Sequence, residues 1–377
     1  MSRSRLGVLL CAVLAAIVTV AAAPPARIVA IGDVHGAADA FVSILQRAGL
    51  IDAGRKWTGG TAVLVQTGDL LDRGQDARAV LDLLIALEPQ ASAAGGRLQP
   101  LLGNHEVMNL LGETRDVAPE LFQQFAGNDS DARREQAYQA ASKLSGDKPI
   151  DKNEWLAAHP AGYIEYREAF APGGTYGKWL RSKPIIAELN ETVFMHGGIN
   201  VEFTTESLDN INKRVRRELN EFDEGFRWLQ QHDLALPFYT LTEVVRVVAG
   251  ELTRLEAKRK RDSLTDEDVT EARALLPILN IDSSALLSAN GPLWFRGFST
   301  WTDREGKERM PALLKKYKVK RFVTAHTPQP AGKITIRFGN TLYLIDTGML
   351  DGKFYPGGRP SALDITGDSV KEIYVER

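Results

Sequence analysis

Short apolar runs that end in glycine-containing polar clusters recur along the chain. The first run, Ile28–Ile31, ends in Gly32-Asp33. Four similar runs follow, at 62–66 before Thr67-Gly68-Asp69, 98–102 before Gly103-Asn104-His105, 192–195 before His196-Gly197-Gly198 and 321–324 before Ala325-His326-Thr327. Near-continuous apolar runs of this length are typical of strands that are buried on both faces of a sheet.

Helical patterns follow the first two runs, at about 37–48 and 75–87, so the early chain has a βαβα order. This order predicts an α/β fold with a largely parallel sheet. In such sheets ligands usually bind at the carboxyl ends of the strands, which is where the polar clusters lie. Towards the C-terminus, the segments 333–338, 341–346, 361–366 and 370–375 are predicted to be antiparallel strands.

Two longer polar stretches, about 111–180 and 205–276, interrupt this alternation and have helical patterns. The first includes a helix predicted at 131–144. In the second, Thr265 is predicted to be a helix N-cap, with three acidic residues in the first turn of the helix. We predict that both stretches are insertions that cover the face carrying the polar clusters. Aromatic residues of the first stretch, among them Tyr163 and Tyr166, are assigned to packing rather than to a ligand.

Composition narrows the class of protein. The chain has 377 residues, of which 44% are hydrophobic, so it can bury a large core. This length fits two domains, or one α/β domain with insertions. Because 46 Lys and Arg residues are balanced by 48 Asp and Glu residues, nothing in the charge favours nucleic acid as a partner.

The N-terminus has the pattern of an export signal. Arg3 and Arg5 precede an apolar stretch that ends in small residues, and cleavage fits best after Ala22. The expected layout is therefore a signal peptide at 1–22 and a periplasmic or secreted domain at 26–377. An uncleaved membrane anchor facing the periplasm is the alternative. The single cysteine, Cys11, lies in the leader, so the exported part would have no disulfide and no cysteine nucleophile.

The polar residues at the strand ends form a candidate metal site. They are Asp33, His35, Asp69, Asn104, His105, His196 and His326. A lone aspartate after a strand is usually part of a turn, and a lone histidine is usually packed, but five such clusters together favour a shared site. Oxygen and imidazole ligands suit Mn, Fe or Zn. If the backbone is extended, Asp33 and His35 project to the same side and can hold one ion together.

Four motifs together resemble those of the calcineurin-like metallophosphoesterases. They are Gly32-Asp33-Val34-His35-Gly36, Gly68-Asp69-Leu70-Leu71-Asp72-Arg73-Gly74, Gly103-Asn104-His105-Glu106 and His196-Gly197-Gly198. The Asp72-Arg73 pair resembles the phosphoprotein phosphatase branch. Later motifs are similar to those of the bacterial Shewanella-like phosphatases: Gly291-Pro292-Leu293-Trp294-Phe295-Arg296, Ala325-His326-Thr327 and Ile345-Asp346-Thr347-Gly348-Met349.

The resemblance implies a role for each matching residue. Asp33, His35 and Asp69 would hold a first metal ion. Asp69 would also bind a second ion, which the remaining ligands Asn104, His196 and His326 would complete. His105 would be the general acid, oriented by Asp72, and Arg73 and Arg296 would clamp the phosphate.

The resemblance also implies a fold and a reaction. The fold would be a four-layer α/β/β/α sandwich with two mixed sheets and helical cap insertions. The reaction would be hydrolysis of a phosphomonoester by water activated between two metal ions. The implied substrate is a phosphorylated protein, with tyrosine phosphate as the preferred residue. Small phosphate esters or dinucleoside polyphosphates are the alternative substrates, and an inactive phosphate-binding protein on the same scaffold is the non-enzyme alternative. The oligomeric state stays open.

Overall fold

A computed structural model of the chain describes residues 27–146 and 148–376. The predicted leader at 1–22, with Cys11, lies outside the described residues. The described part contains two five-stranded sheets. The strands are β1 Ile28–Ile31, β2 Val63–Gln66, β3 Arg97–Pro100, β4 Ile186–Leu189, β5 Thr192–Met195, β6 Arg321–Thr324, β7 Thr335–Arg337, β8 Leu342–Leu344, β9 Ser361–Thr366 and β10 Ser369–Tyr374.

Helices connect and cover these strands. The α-helices are α1 Ala38–Arg47, α2 Ala77–Ala93, α3 Asn104–Leu111, α4 Pro119–Gln123, α5 Ser130–Leu144, α6 Lys152–Ala158, α7 Tyr163–Phe170, α8 Thr175–Arg181, α9 Leu208–Gln231, α10 Leu241–Arg261, α11 Asp266–Leu279, α12 Gly297–Thr300 and α13 Asp303–Tyr317. Short 3₁₀ turns lie at Val201–Phe203, Ile281–Ser283 and Pro330–Gly332. No helix in the described ranges has the length and apolar character needed to cross a membrane.

The first sheet has the strand order β10-β9-β1-β2-β3. Strands β1, β2 and β3 are parallel, with Ile28 opposite Val63 and Val63 opposite Arg97. Strands β9 and β10 continue the sheet in antiparallel pairing. The parallel part places the carboxyl ends of β1, β2 and β3 at one edge, as the βαβα pattern predicts.

The second sheet has the order β4-β5-β6-β8-β7. Strands β5, β6 and β8 are parallel, and β4 and β7 pair antiparallel at the two edges. The second sheet differs from the sequence analysis in two ways. The sequence analysis did not predict strand β4. The segment predicted as an antiparallel strand at 341–346 is antiparallel to β7 but parallel to β6, so its carboxyl end points towards the ends of β5 and β6.

The two sheets pack face to face because their strands are apolar on both sides. In β1, Ile28 and Ala30 join an inter-sheet core with Phe194 of β5 and Val323 of β6. The alternate residue Val29 joins the core formed with the helices. Side chains of successive strand residues point to opposite faces, so each sheet separates two apolar layers. The predicted four-layer α/β/β/α architecture with two mixed sheets is thereby confirmed.

The two polar stretches contain most of the remaining helices. The first holds α4 to α8, and the second holds α9, α10 and most of α11. Thr265 is the N-cap of α11, where its side chain accepts a hydrogen bond from the backbone N–H of Asp268, as predicted. Tyr163 and Tyr166 of α7 are buried, which agrees with the packing role expected from the sequence. That these stretches act as caps stays a prediction.

Candidate metal centre

The predicted site residues come together where parallel strands of both sheets end. Asp33 and His35 follow β1, Asp69 follows β2, and Asn104 and His105 begin α3 just after β3. From the second sheet, His196 directly follows β5, and His326 lies two residues after β6. All seven side chains are buried, so the site lies inside the protein with little exposure to water.

The loops that carry these residues turn sharply. Backbone φ is positive at five site residues: His35, Asp69, Asp72, Arg73 and His326. Residues other than glycine rarely adopt this left-handed conformation, and each instance costs about 1–3 kcal/mol, so such residues concentrate at functional sites. The expected extended backbone through His35 was wrong. Beside them, Gly68 has φ +96°, and a Cβ there would lie 2.4 Å from the Gly103 backbone nitrogen, so only glycine fits.

One carboxylate oxygen lies at the middle of the site. Oδ2 of Asp69 is 3.2 Å from Nε2 of His196, 3.6 Å from Nε2 of His35 and 3.9 Å from Nε2 of His105. Two groups of possible metal ligands therefore share Asp69: His35, Asp69 and His105 on one side, and Asp69, His196 and His326 on the other. Within each group the ligand atoms lie within 4.8 Å of one another. Oδ2 of Asp33 is 3.8 Å from Nε2 of His35 and extends the first group.

Backbone carbonyls orient three of the histidines. Nδ1 of His35 is 2.8 Å from the Leu71 carbonyl oxygen, and Nδ1 of His196 is 3.0 Å from that of Thr67. Nε2 of His326 is 3.1 Å from the Trp294 carbonyl oxygen. A carbonyl only accepts hydrogen bonds, so the facing ring nitrogen must carry the proton. The other nitrogen of each ring therefore presents a lone pair to the site, as in metal-binding histidines.

The donor set fits a cation. Nε2 of His196 is 3.0 Å from Nδ1 of His326 and 2.9 Å from Oδ1 of Asn104, in addition to its approach to Asp69. With the ring protons directed at the carbonyls, these are acceptor atoms that face one another at hydrogen-bond distance. Converging buried acceptors are unfavourable unless a positive charge lies between them. Imidazole, amide and carboxylate ligands match Mn, Fe or Zn.

Burial and neighbouring charges shift the pKa values of the buried carboxylates. Burial raises the pKa of Asp33 well above its usual value, and the nearby charges of Asp346 and Asp69 add to the shift. Burial also acts on Asp69, but the imidazoles of His196, His105 and His35 outweigh it and hold its pKa well below the usual value. The charged form of Asp69 is thus favoured when positive charge lies next to it, from protonated imidazoles or from a bound cation.

His105 has a different partner from the other site histidines. Its Nδ1 lies 2.6 Å from Oδ2 of Asp72, a carboxylate instead of a carbonyl. Burial would lower the pKa of His105, but Asp69 and Asp72 together raise it. By contrast, burial lowers the pKa of His35 to about 3 and that of His326 to about 2. His105 is therefore suited to carry a proton, while His35 and His326 are held neutral and suited to bind a metal.

The two predicted phosphate-binding arginines lie on different sides of the site. Arg73 hydrogen-bonds His35, approaches Nε2 of His105 to 3.0 Å, and donates to the phenol oxygen of Tyr355. Arg296 is exposed, and its Nη1 donates to the His326 carbonyl oxygen at 2.7 Å. Both guanidinium groups are thus next to the histidines, and their role as a phosphate clamp stays a prediction.

Three residues next to the site had no role in the sequence analysis. Glu106 is fully buried and accepts hydrogen bonds from the backbone N–H groups of Gly103, Asp69, Leu70 and Leu71. It thereby fixes the β2 loop against the start of α3.

Asp346, after β8, is buried and lies close enough to Asp33 for its charge to raise the pKa of that carboxyl group. The Tyr355 ring stacks on His35 with ring centroids 5.9 Å apart. Asp346 lies within a quoted motif, and its position at the carboxyl end of the predicted 341–346 strand was the available signal. Tyr355 gave none.

Comparison with known proteins agrees with this geometry. A family model described as calcineurin-like phosphoesterase matches residues 26–330. That range includes the two sheets' parallel strands up to β6 and all seven predicted metal-site residues. The chain therefore belongs to the calcineurin-like phosphoesterases, a family of enzymes that hydrolyse phosphoester bonds.

Individual relatives narrow the resemblance. Shewanella-like protein phosphatase 2 of Arabidopsis thaliana is 34% identical over 222 residues, which cover 53% of this chain and 54% of that protein, so the chain spans about half of that relative's length. Shewanella-like protein phosphatase 1 of Plasmodium berghei is 26% identical over 350 residues, 92% of this chain and 74% of that protein.

A solved structure shares the fold. The cold-active protein-tyrosine phosphatase of a psychrophilic Shewanella species superposes with a TM-score of 0.58 and 24% sequence identity, covering 93% of this chain and 81% of that one. The family match and the two curated relatives, together with this shared fold, confirm the predicted resemblance to this group of metallophosphoesterases.

We predict that Glu106→Gln destabilises the protein by about 2–3 kcal/mol, because the new amide group directs a donor at backbone donors that Glu106 now satisfies. Metal binding should weaken as well, since the Asp69 backbone is held by the same carboxylate. Chemical unfolding and metal titration measure the two effects. The control is Glu305→Gln: Glu305 also accepts from the N-cap of its helix, but its side chain is partly exposed and its partners, Thr302 and Arg309, are not site residues. Equal effects for the two variants would contradict the role given to Glu106.

Proposed function

We propose that the protein is a metal-dependent phosphomonoester hydrolase that acts on phosphorylated proteins. The observation that carries the proposal is the pair of ligand groups that share Asp69, next to a histidine backed by a carboxylate. The first element provides for two cations close together. The second provides a proton donor within the same buried site. Together they would allow an activated water molecule to cleave a phosphate ester, with no need for a cysteine nucleophile.

Two sets of residues that share Asp69 would hold the metal ions. When bound, two metal ions, Mn, Fe or Zn, would supply Lewis-acid activation of a water molecule and of the phosphate. Asp33, His35 and Asp69 would hold one ion. Asp69 together with Asn104, His196 and His326 would hold the other. Because carbonyls fix the ring protons of the three histidines, the lone pairs are already directed at the ions before binding.

His105 would protonate the leaving oxygen. Its Nδ1 is turned to Asp72, so Nε2 is the atom that faces the site. The Arg73 guanidinium, which can only donate, lies 3.0 Å from this nitrogen, so Arg73 would have to turn to the phosphate for Nε2 to carry the proton. A positioned acid of this kind contributes about 10²–10⁴-fold to the rate. Arg73 and Arg296 would bind the phosphate oxygens, because the planar guanidinium offers two parallel donors to a phosphate.

The nature of the substrate is a finer part of the proposal. The two curated relatives are named protein phosphatases, which supports a phosphorylated protein as the substrate. A preference for phosphotyrosine follows only from the family resemblance of the sequence motifs. The chain's single cysteine is Cys11, in the predicted leader, so hydrolysis of phosphotyrosine would have to rely on the metal ions.

The predicted export signal favours a second candidate. In the periplasm or outside the cell, small phosphate esters or dinucleoside polyphosphates are more accessible than signalling proteins. An uncleaved leader would instead fix the protein to the membrane, facing the periplasm. A scaffold that binds phosphate without hydrolysing it is the third possibility, and the complete set of ligands together with His105 argues against it.

We expect the purified protein to hydrolyse para-nitrophenyl phosphate, to lose this activity after chelation and to regain it with Mn²⁺. Metal analysis should find two ions in the wild type and fewer in Asp69→Asn, because that change removes the shared charge. Asp39→Asn, at an exposed position, is the control and should keep both ions. Turnover of tyrosine, serine and threonine phosphopeptides beside nucleotides then separates the two substrate classes. A metal-loaded protein that cleaves none of these substrates would disprove the proposal.

A second expectation concerns the general acid. His105→Asn should retain both metal ions but lose about 10²–10⁴-fold of its activity on alkyl phosphates, whose leaving groups need a proton. Para-nitrophenyl phosphate has a good leaving group and should be affected much less. Steady-state kinetics on the two substrates measure the difference. His232→Asn, at an exposed helix end, is the control and should resemble the wild type. An equal loss on both substrates would contradict the acid role.

A further inference from the structure

We infer that Tyr166, acting through Asn109, is a positioning residue that holds Asp72 and His105 in the geometry needed for proton transfer. The inference rests on the proposed function, because it concerns the general acid of that reaction. It assigns a role in the reaction to the first helical insertion, from which Tyr166 comes.

A continuous chain of hydrogen bonds connects the insertion to the site. The Tyr166 hydroxyl donates to Oδ1 of Asn109 at 2.5 Å. Nδ2 of Asn109 donates to Oδ1 of Asp72 at 2.9 Å and to the His105 carbonyl oxygen at 2.9 Å. The other oxygen of Asp72 is 2.6 Å from Nδ1 of His105. Both oxygens of Asp72 are thus engaged, one by the acid and one by Asn109.

The direction of each hydrogen bond is fixed from both ends. The Asp72 carboxylate and the His105 carbonyl oxygen are acceptors, so the NH₂ group of Asn109 has to face them. The amide oxygen of Asn109 then faces Tyr166, whose hydroxyl has to donate. If the amide were flipped, its one oxygen atom would face two acceptor oxygens, those of Asp72 and of the His105 carbonyl, at 2.9 Å. Tyr166 therefore stabilises the one amide orientation that supports Asp72.

Packing makes each of these groups rigid. Tyr166, Asn109 and Asp72 are each 0% exposed. The Tyr166 ring is enclosed by the rings of Phe122, Phe125 and Phe170, with centroid distances of 5.1, 5.0 and 4.5 Å. Buried side chains in such surroundings have few alternative rotamers.

Helix geometry places Asn109 next to the acid. Asn109 is four residues after His105 in α3, so the two side chains lie on the same face of the helix. The backbone carbonyl of Asn109 also accepts from Nη1 of Arg167, the residue after Tyr166, at 3.3 Å. Helix α7 thus holds Asn109 through its side chain and through its backbone, behind His105 and away from the metal ligands.

The test compares Tyr166→Phe with a matched control. Tyr163→Phe also removes a buried hydroxyl from α7, but that hydroxyl donates to the Phe238 carbonyl oxygen and has no connection to Asn109. Both variants should lose similar thermal stability and keep both metal ions. Only Tyr166→Phe should lose about tenfold in kcat on an alkyl phosphate, the factor that corresponds to one hydrogen bond, with less than a threefold change on para-nitrophenyl phosphate.

A double variant shows whether Tyr166 acts through the acid. In a His105→Asn background, adding Tyr166→Phe should leave the alkyl phosphatase rate unchanged within twofold, because there is no acid left to position. A further tenfold loss would show a general structural role and overturn the inference.

Two other results would also overturn it. One is an equal loss of kcat on both substrates in Tyr166→Phe. The other is a loss in Tyr163→Phe that is confined to the alkyl phosphate, as expected for Tyr166→Phe. Either result, with an active wild type, leaves the proposed function intact. A wild type that is inactive on both substrates would overturn the proposed function as well.

Discussion

The buried carboxylate of Asp69 joins the two halves of the site, and much of the surrounding structure serves to keep it in place. Its side chain lies opposite three imidazoles, while its backbone N–H is held by Glu106. A charge in an apolar interior is tolerated only when it is paired, so the position of Asp69 requires either protonated neighbours or cations. The strand ends, the left-handed loop residues and the glycine at position 68 are arranged around this requirement.

Under the proposed function, histidine side chains have two roles within this small volume, ligand and acid, and the partner atom of each ring distinguishes them. A carbonyl behind His35, His196 or His326 fixes the proton on one ring nitrogen and leaves the other as a neutral ligand. A carboxylate behind His105 favours the charged ring instead. Amino-acid identity alone does not distinguish these roles, since all four histidines lie in short polar clusters just after a strand. The family resemblance suggested the distinction, but its physical reason becomes visible only when the contact on the far side of each ring is known.

The sequence predicted some parts of this arrangement well for physical reasons. Strands such as Ile28–Ile31 and Thr192–Met195 are buried on both faces, so their continuous apolar pattern leaves little ambiguity. Strand Ile186–Leu189 was missed because it lies at a sheet edge and contains the exposed Glu188. The pairing of Leu342–Leu344 was only half right, because strand direction within a sheet depends on partners distant in sequence.

Residues that support the site were harder to predict than the candidate metal ligands, which the structure brings together. Asn109 and Tyr166 are 57 residues apart, and each has an ordinary place on a helix. Their patterns indicate burial, and nothing local indicates that one hydroxyl points at the other's amide. Glu106 belonged to a recognised motif, but its function depends on four backbone groups from two loops, which no spacing rule reveals.

The origin of the ligands in two separate sheets has a mechanical consequence. Asp33, His35, Asp69 and Asn104 belong to loops of one sheet, whereas His196 and His326 belong to the other. An ion held by Asp69 and His196 would link the two sheets across the apolar interface between them. Sliding of one sheet past the other would then separate the ligands and release the ion. Occupancy of the ion site and resistance to sliding between the two inner sheets would therefore depend on each other: a bound ion would resist sliding, and sliding would release the ion.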